Sequence, residues 1–130
     1  MTYLRRKKPE GYKELLVYKR ADELQSFIYE ITENFPHSEL YGLSNQMRRA
    51  AVSITSNIAE GFGRQSYKDR LKFYYQAHGS LTELKDQIFV AKDIGYLVSK
   101  DFKALYEQAN ITHRFLQGFM SVTKRIINSK

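Results

Sequence analysis

Between Val17 and Phe35 the apolar residues fall at Val17, Ala21, Leu24, Ile28, Ile31 and Phe35, in alternating steps of four and three. That spacing returns to one side of a helix at every turn. Asp22, Glu23, Gln25, Glu30 and Glu33 lie off the stripe. The pattern predicts an amphipathic helix over about 17–34, stopped by Pro36, which has no amide donor and restricts the residue before it. "HSELYG" reads as a connector. The spacing resumes at Leu43, Met47, Ala50/Ala51, Ile54 and Ile58, a second helix over about 43–63. It should end where Gly61 and Gly63 can take the left-handed C-cap conformation. Ser66 with Asp69 resembles a capping box with Asp in the usual Glu position, and opens a helix over about 67–94, with Gly95 as its stop. Ser99 caps a fourth, to about 127, with Asp101 favourable in its first turn. Four helices on short connectors predict an all-α fold, an antiparallel up-down-up-down four-helix bundle.

The third and fourth helices are apolar on two faces. Phe73, Ala77, Leu81, Leu84, Ile88 and Ala91 form one stripe of the third, and Leu71, Tyr75, His78, Thr82 and Phe89 another. The fourth carries Phe102, Leu105, Tyr106, Ala109, Leu116 and Met120, and beside them Ile111, Phe115, Phe119, Val122 and Ile126. A monomeric bundle needs one stripe per helix. Wide faces can wrap a thick core, but surplus aromatic surface is a liability unless another subunit covers it. The expectation is self-association through Leu71, Tyr75, His78, Phe89, Phe115 and Phe119.

Composition adds limits. The chain has 130 residues, the size of one domain, with 42% apolar and 14% aromatic residues, enough for a core. With no Cys, disulfides and Cys-based zinc sites are excluded. The start lacks the apolar run of a signal peptide, and no stretch approaches a membrane span, so a cytoplasmic protein without membrane contact is expected. The net charge is +7. Arg5, Arg6, Lys7 and Lys8 make residues 1–15 a basic, loosely ordered arm before a bundle domain over 16–130. A second basic cluster is Arg48, Arg49, Arg64, Lys68, Arg70 and Lys72. Such balance favours polyanionic partners, although ordinary solubility needs some charge too.

Candidate enzyme chemistry finds little purchase. Di-iron bundles need Glu-x-x-His pairs; His37, His78 and His113 are preceded at that spacing by Asn34, Tyr75 and Asn110. No His-x-x-x-His pair and no nucleophile elbow occurs. Gly61-Phe62-Gly63 lacks the Lys-Ser/Thr ending of a phosphate loop, although a phosphate at the helix start near Ser66–Lys68 is compatible with the pattern. No cofactor or metal is expected. On the second helix Ala51, Thr55 and Ala59 recur every four residues, which lets a neighbouring helix come close. Arg49, Ser53, Ser56 and Glu60 form a polar stripe, with Asn57 at the margin of the core face. Arg49 and Glu60 stand about three turns apart, so each needs a partner on another helix or subunit, with Glu83 a candidate for Arg49. Arg49, Ser53, Asn57, Glu60 and Glu83 are therefore expected to form a structural polar network rather than a catalytic one.

"YGLSNQMRRAAVSITSNIAEGFGR", residues 41–64, resembles the signature of the four-helix-bundle family of 23S rRNA intervening-sequence proteins. Tyr41, Gly42, Leu43, Gln46, Arg48, Arg49, Ala50, Ser53, Ile54, Asn57, Ile58, Ala59, Glu60 and Gly61 match its pattern, as do Gly79, Ser80, Glu83 and Leu84 further on and "LLVYKRADEL" near the start. Thr55 stands where a Pro is frequent, which makes a kink there less expected, and Ser44 where Thr is usual. The resemblance implies an antiparallel bundle, ring-shaped homopentamers and no catalytic activity. It also implies gene contexts within bacterial 23S rRNA insertions, and a related branch that accompanies retroelement reverse transcriptases and holds nucleic acid on a basic ring. Together with the charge it leads to a non-enzymatic homo-oligomer that binds RNA or DNA through Lys/Arg–phosphate contacts. The expected contacts are Arg48, Arg64, Lys68, Arg70 and Lys72, assisted by Arg5, Arg6, Lys7 and Lys8. The alternative is a scaffold for a protein partner.

Overall fold

The computed structural model describes residues 11–129. A 3₁₀ turn over Tyr12–Glu14 leads into α1 (Leu16–Thr32); a second, over His37–Glu39, precedes α2 (Leu43–Phe62), α3 (Tyr67–Asp93) and α4 (Ser99–Asn128). No strand occurs among the described residues. Each helix packs on two neighbours, α1 on α2 and α4, α3 on α2 and α4, so the four stand at the corners of a square. The apolar stripes of α1 and α2 all turn inward: Leu24, Ile28, Met47, Ile54 and Ile58 are fully buried beside Leu81, Leu84, Ile88, Leu105 and Leu116.

Cross-helix pairs fix the sense of packing. Thr55 meets Gln25, and Arg48 meets Thr32. Tyr74 packs on Phe119, His78 on His113 and Phe89 on Phe102. In each case residue numbers rise along one helix as they fall along its neighbour. The same end of the fold therefore holds the start of α1, the α2–α3 turn and the end of α4.

The ends of the helices differ from expectation in instructive ways. Helix α1 stops at Thr32, short of Pro36. The Thr32 hydroxyl donates to the Ile28 carbonyl at 2.7 Å, and 3₁₀ bonds from Asn34 and Phe35 close the last turn. At α2 the cap is not Ser44, which lies buried inside the helix; the N-cap is Gly42, and the connector supplies the bond: Glu39 Oε1 accepts from the Leu43 amide at 3.0 Å while its Oε2 accepts from Tyr96 Oη at 2.7 Å. The α3 cap is as predicted, Ser66 accepting from the Asp69 amide at 3.1 Å. At α4 the N-cap is Val98, and Ser99 is already helical.

Gly61 is not a left-handed stop. It lies inside α2, buried, and a Cβ there would stand 2.7 Å from the Tyr74 ring, 2.9 Å from Phe73 Cβ and 3.0 Å from the Arg70 carbonyl. The residue is small because α3 crosses on top of it. Gly63, just past the helix, has φ −79°, and positive φ among the described glycines is confined to Gly95 (88°). Two stripes also need correction. In α3 the core position is Tyr74, fully buried, while Phe73 is half-exposed. In α4 the buried line runs Leu105, Ala109, Thr112, Leu116, Met120, Thr123, with Phe102 and Tyr106 only partly covered. Thr112 and Thr123 escape an apolar count because they are polar; each satisfies its hydroxyl on a carbonyl one turn back.

Candidate functional site

The basic cluster gathers where α2 hands over to α3. Arg64 pairs with Glu60 at 2.9 Å and lies over the Phe73 ring at 4.7 Å. Arg70 donates from Nε to the Arg64 carbonyl at 2.8 Å and stands over Phe62 and Tyr67 at 5.1 and 4.8 Å. Both guanidinium groups are thus held on aromatic faces, with donors left over. Lys68 is exposed, and Lys72 makes a long 3.6 Å pair with Asp69 that solvent screens. Residues distant in sequence join them: Lys13 in the 3₁₀ turn before α1, Lys19 and Arg20 in its first turns, with Arg20 over Phe115, and Lys124 and Arg125 in the last turns of α4, with Lys124 over Tyr75. The sequence clustering of Lys/Arg could not reveal that convergence. Arg5, Arg6, Lys7 and Lys8, with most of the expected arm, lie outside the described residues.

Arg48 and Arg49 occupy environments opposite to those expected. Arg48 is half-buried, donates from Nε to the Thr32 hydroxyl at 2.8 Å and covers the Tyr29 ring at 4.9 Å. It ties α2 to α1. Arg49 is exposed and makes no hydrogen bond or ion pair among the described residues. Its side chain borders two clefts, one with Tyr29, Arg48 and Val52, the other with Tyr41, Gln46, Ser80 and Glu83.

The expected polar network is partly assembled. Ser53 Oγ meets Ser80 Oγ at 2.7 Å across α2 and α3, and Asn57 Nδ2 donates to the Ser53 carbonyl and hydroxyl at 2.8 and 3.1 Å. Asn57 therefore reaches α3 only through Ser53. Glu60 needs no cross-helix partner, because Arg64 one turn on supplies it. Glu83 accepts from Gln87 at 3.3 Å and makes no ion pair with Arg49. Along the small-residue edge Ala51 and Thr55 are buried and Ala59 half-buried, and Thr55 meets Gln25 of α1 at 2.7 Å.

The aromatic surplus on α3 and α4 is largely spent within the chain. Phe119 packs on Tyr74, and Phe115 lies under Arg20. Phe89 stacks against Phe102 and Tyr106 but stays 39% exposed, and Tyr75 stays 50% exposed; Leu71 is half-buried against the core. His78 faces His113, Nε2 to Nε2 at 3.3 Å, and Lys85 Nζ stands 3.1 Å from His113 Nδ1. A lysine ammonium only donates, so His113 accepts at Nδ1 and donates from Nε2 to His78. Burial first, then the charges of Lys85 and His78, push the His113 pKa down, and burial lowers that of Lys85. No group of three or more potential metal ligands occurs among the described residues, and no described helix is long and apolar enough to cross a membrane.

The family model described as 23S rRNA-intervening sequence protein matches residues 13–118. A solved structure of a protein of unknown function from the S23 ribosomal protein family of Bacteroides thetaiotaomicron superposes with a TM-score of 0.72. The two share 18% identity, over 81% of this chain and 98% of that one, a likeness of fold. No curated protein matches.

Proposed function

The chain belongs to the 23S rRNA-intervening sequence protein family, and we propose that it serves there as a non-enzymatic, antiparallel up-down-up-down bundle that forms a ring-shaped homo-oligomer and binds RNA or DNA through its basic end. The reversed numbering of every cross-helix pair supports the topology. One observation carries the binding reading: the two ends of the bundle differ in charge. The end that holds the α2–α3 turn gathers Lys13, Lys19, Arg20, Arg64, Lys68, Arg70, Lys72, Lys124 and Arg125 against Glu14, Glu60 and Asp69. The opposite end gathers Glu30, Glu33, Glu39, Asp86, Asp93, Asp101 and Glu107 against Arg48, Arg49, Lys92, Lys100 and Lys103. A field of that shape orients a polyanion onto one end.

The contacts are to phosphates, so sequence preference is weak. Lys68 and Lys72 supply mobile ammonium groups. Arg64 and Arg70, braced on aromatic rings, supply fixed donors. Titration of a mixed-sequence RNA across a salt series tests the reading: log Kobs should fall linearly with log salt, with a slope of about −3 for roughly four phosphate contacts. Absence of binding at low salt would leave the scaffold reading, with charge incidental. That alternative draws on Arg64 and Arg70 being already engaged by Glu60 and the Arg64 carbonyl.

A further inference from the structure

Two surfaces on opposite sides of the bundle are unsatisfied in complementary ways. Along α2, Arg49 has no partner among the described residues, and beside it Tyr41 is 90% exposed with no ring contact. An isolated guanidinium next to a bare tyrosine is the composition of a protein contact rather than of a solvated face. In the groove between α1 and α4, Asp22 and Glu30 border a cleft with Phe27 at its side, and neither carboxylate has an ion-pair partner among the described residues. The cleft measures ≈ 560 Å³, similar to the ≈ 450 Å³ groove that Arg49 borders between α2 and α3. Because the helices stand at the corners of a square, those two grooves face in opposite directions.

We infer that a second copy of this chain docks its acidic α1–α4 cleft onto the Arg49–Tyr41 face of α2. The inference rests on the homo-oligomer proposed above and names its contact. Arg49 and Tyr41 sit in and just before the first turns of α2, at the acidic end of the bundle, where Glu39 bonds Tyr96 and the field repels a polyanion. That placement favours a carboxylate-bearing protein surface over nucleic acid. The two faces are unlike, so the contact is head-to-tail and builds a ring where the rotation closes, not a two-fold dimer.

Complementary charge reversal tests it. Arg49→Glu and the double variant Asp22→Lys/Glu30→Lys change exposed side chains only, so circular dichroism should match the parent. By light scattering each variant alone should fall from the oligomer towards the 15.3 kDa chain mass. The three reversals combined in one chain, Arg49→Glu with Asp22→Lys and Glu30→Lys, should regain the oligomer, since every junction then pairs opposite charges. If Arg49→Glu keeps the parental mass, or the combined variant stays dissociated, the docking assignment is wrong while the oligomer stands. A parent that is itself monomeric overturns both. Loss of RNA binding by Arg49→Glu with the oligomer intact would assign this face to the polyanion and also overturn the inference.

Discussion

Gly61 shows how much a single atom decides. Its missing Cβ leaves room for the Tyr74 ring, Phe73 and the Arg70 carbonyl within 3.0 Å. Backbone cannot yield as a flexible side chain does, so Gly61→Ala should cost about 1–3 kcal/mol in urea unfolding despite better helix propensity. His113 makes a second residue-level prediction. Its folded pKa is pushed below the ordinary 6.5. The unfolded chain therefore takes up the proton first as pH falls. The contribution of neutral His113 is present above about 6.5 and is lost as pH drops from there through the folded value. Stability should decline over that range in the parent and decline less in His113→Gln, as followed by thermal melts at stepped pH.

The elements were mostly legible from spacing, and their corrections have a common cause. Apolar periodicity located all four helices because a buried stripe must repeat with the helical turn. It misassigned Phe73 against Tyr74 because a tyrosine can bury its ring as readily as a phenylalanine. It missed Thr112 and Thr123 because their hydroxyls bond within the helix and leave an apolar methyl for the core. At the α1–α2 contact, Arg48 and Arg49 are adjacent in sequence yet differ in role. Arg48→Ala removes a bond to Thr32 and a cover over Tyr29, and should cost about 1–2 kcal/mol. Arg49→Ala should change stability by less than about 0.5 kcal/mol. Asn57→Ala falls between, about 0.5–1.5 kcal/mol, since its bonds stay within α2 and it is half-buried. Chemical denaturation of the three variants, compared at one pH and protein concentration, orders them.

At the scale of the molecule the charge is divided rather than spread. Reversing Lys68 and Lys72 to Glu should weaken RNA binding and flatten its salt slope by about two phosphate contacts. Reversing Lys100 and Lys103, at the acidic end, should leave both nearly unchanged. Equal losses from the two pairs would mean that net charge, not its placement, governs the interaction.

By itself the sequence determined the number and approximate bounds of the helices, the buried stripes of α1 and α2, and the family signature at residues 41–64. Those depend on spacing within about two turns, where the helical repeat dictates which residues share a face. The tertiary structure alone decided what depends on neighbours distant in the chain. It capped α2 with Glu39 held by Tyr96, made Gly61 a packing residue and turned Arg48 inward while leaving Arg49 out. It also drew the cations of α1, α3 and α4 to one end. Partners for charges and donors come from whichever helix lies alongside, and that is a property of the packed bundle.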